Sequence, residues 1–376
     1  DQHRVGLAHD HQREGTDDIH RSYAMAREAM RTMSRHATVA TEDQSSPLFG
    51  RWRFLGPGNV GGRTRVLIID PADPRVMYAA GVSGGVWKSR TGGTQWTPVG
   101  DDLMNMAVNA MVLHPTDRNV LYAGTGEGYF REEQRGTALP LRGNGIFLSR
   151  DGAETWTQLP STAGEDFHWV NDLVISPHDP SRLYAATRTG VWRSIDSGTT
   201  WSNVVPVTVK GGCLDLAFRG DTGSDFLFAS CGTFEQARVY RTTNAENDAA
   251  WEAVLAQPNM GRTTLAIAPS RPSTIYALSA SNEPEAAVYQ GMLAVWRSDQ
   301  SGEAGSWTAQ VRNTSTTDVL GPFLLTNDAT VFEEICNGTP QSRLTMGWYC
   351  NTIAVDPADP ERVWVGGVDL FRSDDG

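Results

Sequence analysis

The sequence predicts an all-β fold, a β-propeller of four-stranded blades carrying Asp-rich turns, and three observations predict it. A two-part phrase recurs six times between residues 51 and 376. Five tryptophans (Trp96, Trp156, Trp201, Trp251 and Trp307) close successive copies at intervals of 45 to 60 residues. The 38 glycines follow no triplet period, so they punctuate turns rather than build a collagen helix. Short strands between Gly, Pro and Asp turns, four to a unit of about 45 residues, are how a propeller blade is written.

The elements follow from the first half of the phrase. A short apolar strand A runs into a Pro/Asp turn, then a Tyr-Ala strand B, a Gly loop and an aromatic strand C ending in Ser. The first copy reads VLIIDPADPRVMYAAGVSGGVWKS at 66–89 and the second AMVLHPTDRNVLYAGT at 110–125, resuming as GIFLS at 145–149. The third is LVISPHDPSRLYAATRTGVWRS at 173–194, and a weaker fourth is LDLAFRGDTGSDFLFASC at 214–231. LAIAPSRPSTIYAL at 265–278 with AVWRS at 294–298 is the fifth, and IAVDPADPERVWVGGVDLFRS at 353–373 the sixth. Strand D is expected to start at each Trp.

The second half of the phrase is Ser-x-Asp-x-Gly-x-Thr-Trp. Residues Ser194, Asp196, Gly198, Thr200 and Trp201 match it fully, while Ser149, Asp151, Thr155 and Trp156 carry Ala153 at the Gly position. Residues 89–96 replace the Asp by Thr91, and around 242–251 and 298–307 little but the Trp survives. Ser and Asp side chains bond the N–H groups of their own turn, Gly supplies a positive φ, and the Trp fills the wedge between blades. Calcium binding is the rival reading, but one Asp per turn supplies too few oxygens. The sixth copy stops at Ser373-Asp374-Asp375-Gly376, inside this phrase. The expectation is a propeller of about six visible blades, truncated there, although Trp52-Arg53-Phe54-Leu55 could instead close the last blade.

Residues 1–50 lack the repeat: 21–33 (RSYAMAREAMRTM) reads as an amphipathic helix and 38–47 as a polar linker, leaving 51–376 to the propeller. The chain opens Asp1-Gln2-His3-Arg4 without Met or an apolar leader, which suggests a removed leader or a fragment. With 44 acidic against 32 basic residues the net charge is −12, which argues against nucleic acid as a partner. No apolar run approaches the ~18 residues of a membrane span. No zinc spacing, Walker loop or nucleophile elbow is present, so no cofactor or metal is expected.

The repeated phrase resembles the Asp-box, or bacterial neuraminidase repeat, of sialidases, sortilin-type receptors and xyloglucan-cleaving glycoside hydrolases. Residues 50–376 are similar to the sortilin-like and xyloglucanase-like branch, among secreted bacterial proteins labelled glycosyl hydrolases, most clearly at LGPGNVGGRTR (55–65), YAGTGEG (122–128) and GWYCNTIAVDPADP (347–360). The resemblance implies fold and family; such propellers include both enzymes and binders. Xyloglucan-cleaving relatives carry a catalytic Asp in a Thr-Asp-Ile-Gly-Gly-type loop of the first blade, where this chain has Val82-Ser83-Gly84-Gly85. The sialidase Arg-Ile-Pro motif is absent; Arg63-Thr64-Arg65-Val66 is the nearest text, with no Tyr/Glu nucleophile pair or arginine triad assignable.

In an antiparallel blade the A–B and C–D turns share one face and the B–C and D–A loops the other. The uniform Pro/Asp turns and the Ser-x-Asp turns mark the first face as scaffold. The insertions 126–144, 279–291 and 308–350 fall on the second, where function usually sits. That face offers Arg63, Asn109, His168, Trp169, Asp172, Arg188, Arg262, Trp348 and Tyr349 as ligand-binding candidates, suited to sugar stacking or peptide capture. Asp172 could equally cap a strand end, and Trp169 and Trp348 line the channel. Glu127 and Asp369 are the candidate catalytic pair for a two-carboxylate glycosidase.

Cys213 begins strand A and Cys231 ends strand B of the fourth blade, opposite each other if the hairpin folds about Asp221–Thr222. Cys336 and Cys350, 14 residues apart, flank a loop and form the second candidate bridge. Two local bridges fit a secreted or periplasmic protein. The leading reading is an extracellular propeller that binds glycan or an extracellular protein or peptide; a glycoside hydrolase and an assembly scaffold are the alternatives.

Overall fold

The computed structural model describes residues 63–376 except 101–102, 130–140, 210, 248–249, 283–290, 314–325, 328–343 and 368–369. Six antiparallel sheets follow one another, each pairing its strands in chain order. Blade I is β1 (Thr64–Ile69), β2 (Met77–Gly81), β3 (Gly85–Ser89) and β4 (Thr97–Pro98). Blade II is β5 (Val108–Leu113), β6 (Leu121–Thr125), β7 (Ile146–Ser149) and β8 (Thr157–Gln158). Blade III is β9 (Val170–Ile175), β10 (Leu183–Thr187), β11 (Gly190–Ser194) and β12 (Ser202–Pro206). Blade IV is β13 (Cys213–Arg219), β14 (Phe226–Cys231), β15 (Arg238–Thr242) and β16 (Glu252–Leu255). Blade V is β17 (Met260–Ile267), β18 (Ile275–Ser281), β19 (Met292–Ser298) and β20 (Thr308–Arg312). A short ribbon, β21 (Thr326–Asn327) with β22 (Leu344–Thr345), precedes blade VI: β23 (Thr352–Val355), β24 (Val363–Gly366) and β25 (Leu370–Ser373). This is a six-blade propeller, and its described helices are two 3-10 turns, Pro160–Thr162 and Glu165–Phe167.

The first strand of each blade is innermost: β1 packs on β5, β5 on β9, β9 on β13, β13 on β17 and β17 on β23. The second strands are sandwiched between neighbouring blades. Every residue of β6, β10, β14 and β18 is buried, which is why LYAGT and LYAAT read as continuous small-apolar runs rather than alternating ones. The core lies in the seams. Tyr78 and Val86 of blade I pack with Leu121, Phe147 and Trp156 of blade II. Phe167 and Leu183 bring Trp192 and Trp201 into the next seam. Each large side chain buried this way contributes about 1.5–3 kcal/mol.

The Ser-x-Asp turns close as their residue types require. Ser194 Oγ accepts from the N–H of Gly198 (2.8 Å) and donates to Asp196 (2.8 Å), and Asp196 accepts from the N–H and hydroxyl of Thr200 at 2.8 and 2.7 Å. Gly198 sits at φ 87°, and Ala153, its counterpart in blade II, takes the same left-handed region at 73°. The Trp201 indole N–H returns to the Gly198 carbonyl at 3.2 Å, so strand D starts one residue after the Trp rather than on it. The decayed fifth copy keeps more than its text suggests: Ser298 still accepts from Gly302 N–H (3.1 Å) and Trp307 still bonds the Gly302 carbonyl (3.3 Å). Ser373 donates to Asp375 at 2.8 Å.

Cys213 and Cys231 pair in register across β13 and β14 and form a disulfide. Of the second expected pair, Cys350 is a free thiol that lines the cavity described below. Its expected partner Cys336 lies outside the described residues, as do the helix at 21–33, the linker at 38–47 and the alternative closing strand at 52–55.

Candidate functional site

A cavity of about 670 Å³ opens on the propeller axis, walled by the innermost strands of all six blades. Its polar wall comes from Arg63, Arg65, Asn109, Asn171, Asp172, Asp215, Arg262 and Asn351, with Tyr129 and Tyr349 as aromatic surface. Counting back from the Pro/Asp turn explains this wall. The two positions before the first core residue of strand A give Arg65, Asn109, Asn171 and Asn351 in one column, and Asp172, Asp215, Thr264 and Thr352 in the other.

Much of that wall also ties blade to blade. Asn109 donates to the Asn171 carbonyl (3.3 Å) and Asn171 to that of Cys213 (2.8 Å). Asp172 accepts the N–H groups of Leu173 and Leu216, both at 2.8 Å, and Asp215 that of Leu265 at 2.6 Å. These carboxyls are nonetheless not ordinary. Burial pushes Asp172 up to about 7, against the pull of its backbone hydrogen bonds. Burial first and the Asp172 charge second push Asp215 well above the usual carboxylate range, while Arg262 pulls it down. Two such neighbours titrate as a pair, one holding a proton through the neutral range.

The mouth is built around Glu127. In the Gly126-Glu127-Gly128 loop after β6, a Cβ on Gly126 would meet the His168 carbonyl oxygen at 2.2 Å and one on Gly128 the Asn171 side-chain oxygen at 2.3 Å. Only glycine lets the loop pass there, and the passage buries Glu127 behind the wall. Arg65 donates to it at 3.0 Å, Arg63 at 3.4 Å, and the Tyr349 hydroxyl donates as well. Arg63 also donates to the Tyr349 hydroxyl at 2.8 Å. Burial and the Glu127 carboxylate raise the Tyr349 phenol above its ordinary range, so it stays a neutral donor. The Arg65 guanidinium lies over both tyrosine rings, 4.6 Å from Tyr129 and 4.1 Å from Tyr349. Arg262 lies 4.2 Å over Tyr129 and spends its hydrogen bonds on the carbonyls of Trp348, Tyr349 and Asn351.

Of the sequence-expected residues, Arg63, Asn109, Asp172, Arg262 and Tyr349 meet at this cavity. His168, Trp169, Arg188 and Trp348 are not among its lining residues. His168 bonds Arg142 at 2.6 Å, its titration lowered by burial and by that guanidinium, and Arg188 stacks 5.2 Å over Trp169. Trp348 packs against Phe234 (6.0 Å) and Tyr349 (5.3 Å). Glu127 is a buried counter-ion rather than a carboxylate facing the cavity, Ser83 is exposed on the β2–β3 turn, and Asp369 lies outside the described residues. Arg65, Tyr129, Asp215 and Asn351 were missed. The column alignment above would have found three of them; Tyr129, in an insertion, carries no repeat signal.

No family model matches the chain. It is 26% identical over 239 residues to a xyloglucanase of Paenibacillus sp, covering 55% of this chain and 22% of that protein. A xyloglucanase of Hypocrea jecorina is 27% identical over 293 residues, covering 68% and 33% respectively. The chain thus spans between a fifth and a third of these relatives. The solved GH74 xyloglucanase of Xanthomonas campestris superposes with a TM-score of 0.58 at 21% identity, over 87% of this chain and 46% of that one. Its relatives are xyloglucanases, and the likeness to the solved enzyme shows the propeller fold.

Proposed function

We propose that this chain is a glycan-acting propeller, a glycoside hydrolase whose axial cavity receives part of a polysaccharide. One arrangement carries the reading: two neighbouring carboxyls, Asp172 and Asp215, stand in the cavity wall, and burial raises both, Asp172 up to about 7. Glycoside hydrolysis needs such an acid to protonate the leaving oxygen, and a second carboxylate to activate water or attack the sugar. Asp172, coupled to Asp215, is the candidate acid. Asp369, two positions beyond the wall residue Gly367, remains the proposed second carboxylate. Xyloglucan is the first substrate to test because the relatives are xyloglucanases. The serine-anchored turns support an Asp-box propeller of the sortilin-like and xyloglucanase-like branch. The Cys213–Cys231 bridge supports a secreted or periplasmic site of action.

Binding without hydrolysis is the second reading. It is favoured by Ser83, where the resemblance puts a carboxylate, and by the engagement of Glu127 in ion pairs. Release of reducing ends from xyloglucan and other polymeric glucans, beside a glycan array, separates the two. Hydrolysis that falls at least 100-fold in Asp172→Asn or Asp369→Asn supports the first; capture on the array without turnover supports the second. Neither capture nor turnover of any glycan overturns both.

A further inference from the structure

We propose that the cavity mouth receives a carboxylate, so that the glycan taken is an acidic, uronate-bearing one. The proposal rests on the glycan reading above and narrows the substrate of the same site from a neutral glucan such as xyloglucan to an acidic glycan. Its ground is a local charge imbalance among the described residues, inside a chain of net charge −12. Three guanidiniums, Arg63, Arg65 and Arg262, wall one mouth. Glu127 answers Arg63 and Arg65 together with a single charge. Arg262, 6% exposed, is directed at three backbone carbonyls, which offer dipoles but no charge. Asp215 is the carboxyl that offsets it most directly, and burial favours the neutral form there.

The wall is also shaped for an anion. Arg63 keeps 54% of its side chain exposed, and its bonds to Tyr349 and Glu127 both use Nη1. Arg65 Nε is buried with no hydrogen-bond partner among the described residues. A guanidinium fork pairs with a carboxylate through two parallel bonds, and in a half-enclosed cavity such charge-assisted bonds are stronger than in water. The Tyr129 and Tyr349 rings, 6.3 Å apart and edge to face, give a pyranose ring an apolar surface beside the charge.

The test is titration calorimetry of the full chain with a uronate-containing oligosaccharide, its carboxyl-reduced counterpart, and a peptide with a free C-terminal carboxylate. The acidic sugar should bind at least tenfold tighter than the reduced one, and that advantage should shrink severalfold from 50 to 500 mM salt. In Arg63→Gln the acid-over-reduced ratio should fall towards one. Carboxyl reduction alters only the ligand, so the comparison stands even if the variant folds poorly. Equal affinity for both sugars overturns the carboxylate inference and leaves the glycan reading standing. Binding of the peptide with neither sugar bound overturns both.

Discussion

Arginines and carboxylates meet on both sides of the propeller, but they are matched on one side and unmatched on the other. On the turn side they pair across blade seams: Arg118 of blade II with Asp70 of blade I (2.5 Å), Arg182 of blade III with Asp225 of blade IV (2.7 Å), and Arg297 of blade V with Glu361 of blade VI (2.9 Å). At the mouth, among the described residues, Arg63 and Arg65 share Glu127 while Arg262 is directed at backbone carbonyls. The same side chains therefore fasten the ring where charge is balanced and leave a site where it is not.

The sharpest way to break this comparison is to remove a matched carboxylate. Asp225 is fully buried and accepts from Arg182, from the Tyr184 hydroxyl at 2.8 Å and from Ser176 at 2.6 Å. Asp225→Ala strands a charge and two hydroxyls in the seam and should cost about 3–5 kcal/mol in urea unfolding. A loss below about 1 kcal/mol would show that the turn side is not what fastens the seam. At the mouth end of blade IV the fastening is covalent instead. Paired Cys213→Ala and Cys231→Ala substitutions should cost roughly 3 kcal/mol on the chain-entropy view. Equal stability of wild type with and without reductant would contradict it.

The two sides should also respond oppositely to pH. Hydrogen bonds from Thr200 lower the Asp196 carboxyl, and burial at Asp151 is outweighed by the bonds from Thr155 and Ser149. Groups lowered in the fold stabilise it above their unfolded pKa and lose that contribution as pH falls below it. Asp172 is raised, so the fold binds a proton that the unfolded chain has already released. Its contribution is full below about pH 4 and is lost as pH rises towards about 7. Asp172→Asn should flatten the decline in stability between those values. An unchanged slope in that variant would remove Asp172 as its source.

The fold was legible because its turns are local. Ser194, Asp196, Gly198 and Trp201 lie within eight residues and bond one another, so their spacing alone reports the geometry. Cys213 and Cys231 were legible through one hairpin register. The mouth was not, because its contacts join residues remote in sequence: Tyr349 and Glu127 are 222 apart, Tyr349 and Arg63 286. Glu127 shows the cost. Its burial against Arg63, Arg65 and Tyr349 could not be read from its own loop, and Asp172, which does bond the N–H groups of Leu173 and Leu216, carries no local sign of Asp215 beside it.

The smallest expected effect tests whether the turn side is a set of independent local units. Ser194 is buried, and its Oγ serves the N–H groups of Gly198 (2.8 Å) and Asp196 (3.3 Å) while donating to the Asp196 carboxylate. Ser194→Ala leaves the Gly198 N–H buried without its acceptor and should cost about 1–2 kcal/mol. The Ser149 turn of blade II makes the equivalent bond to Ala153 at 2.9 Å, some 45 residues away in sequence and in another blade. Ser149→Ala should cost a similar amount, and the double variant should cost the sum to within about 0.5 kcal/mol. A double variant that loses markedly more than the sum in urea unfolding would show that the turns act through the shared seam, and so belong with the matched ion pairs rather than with the chain-local geometry that made them readable.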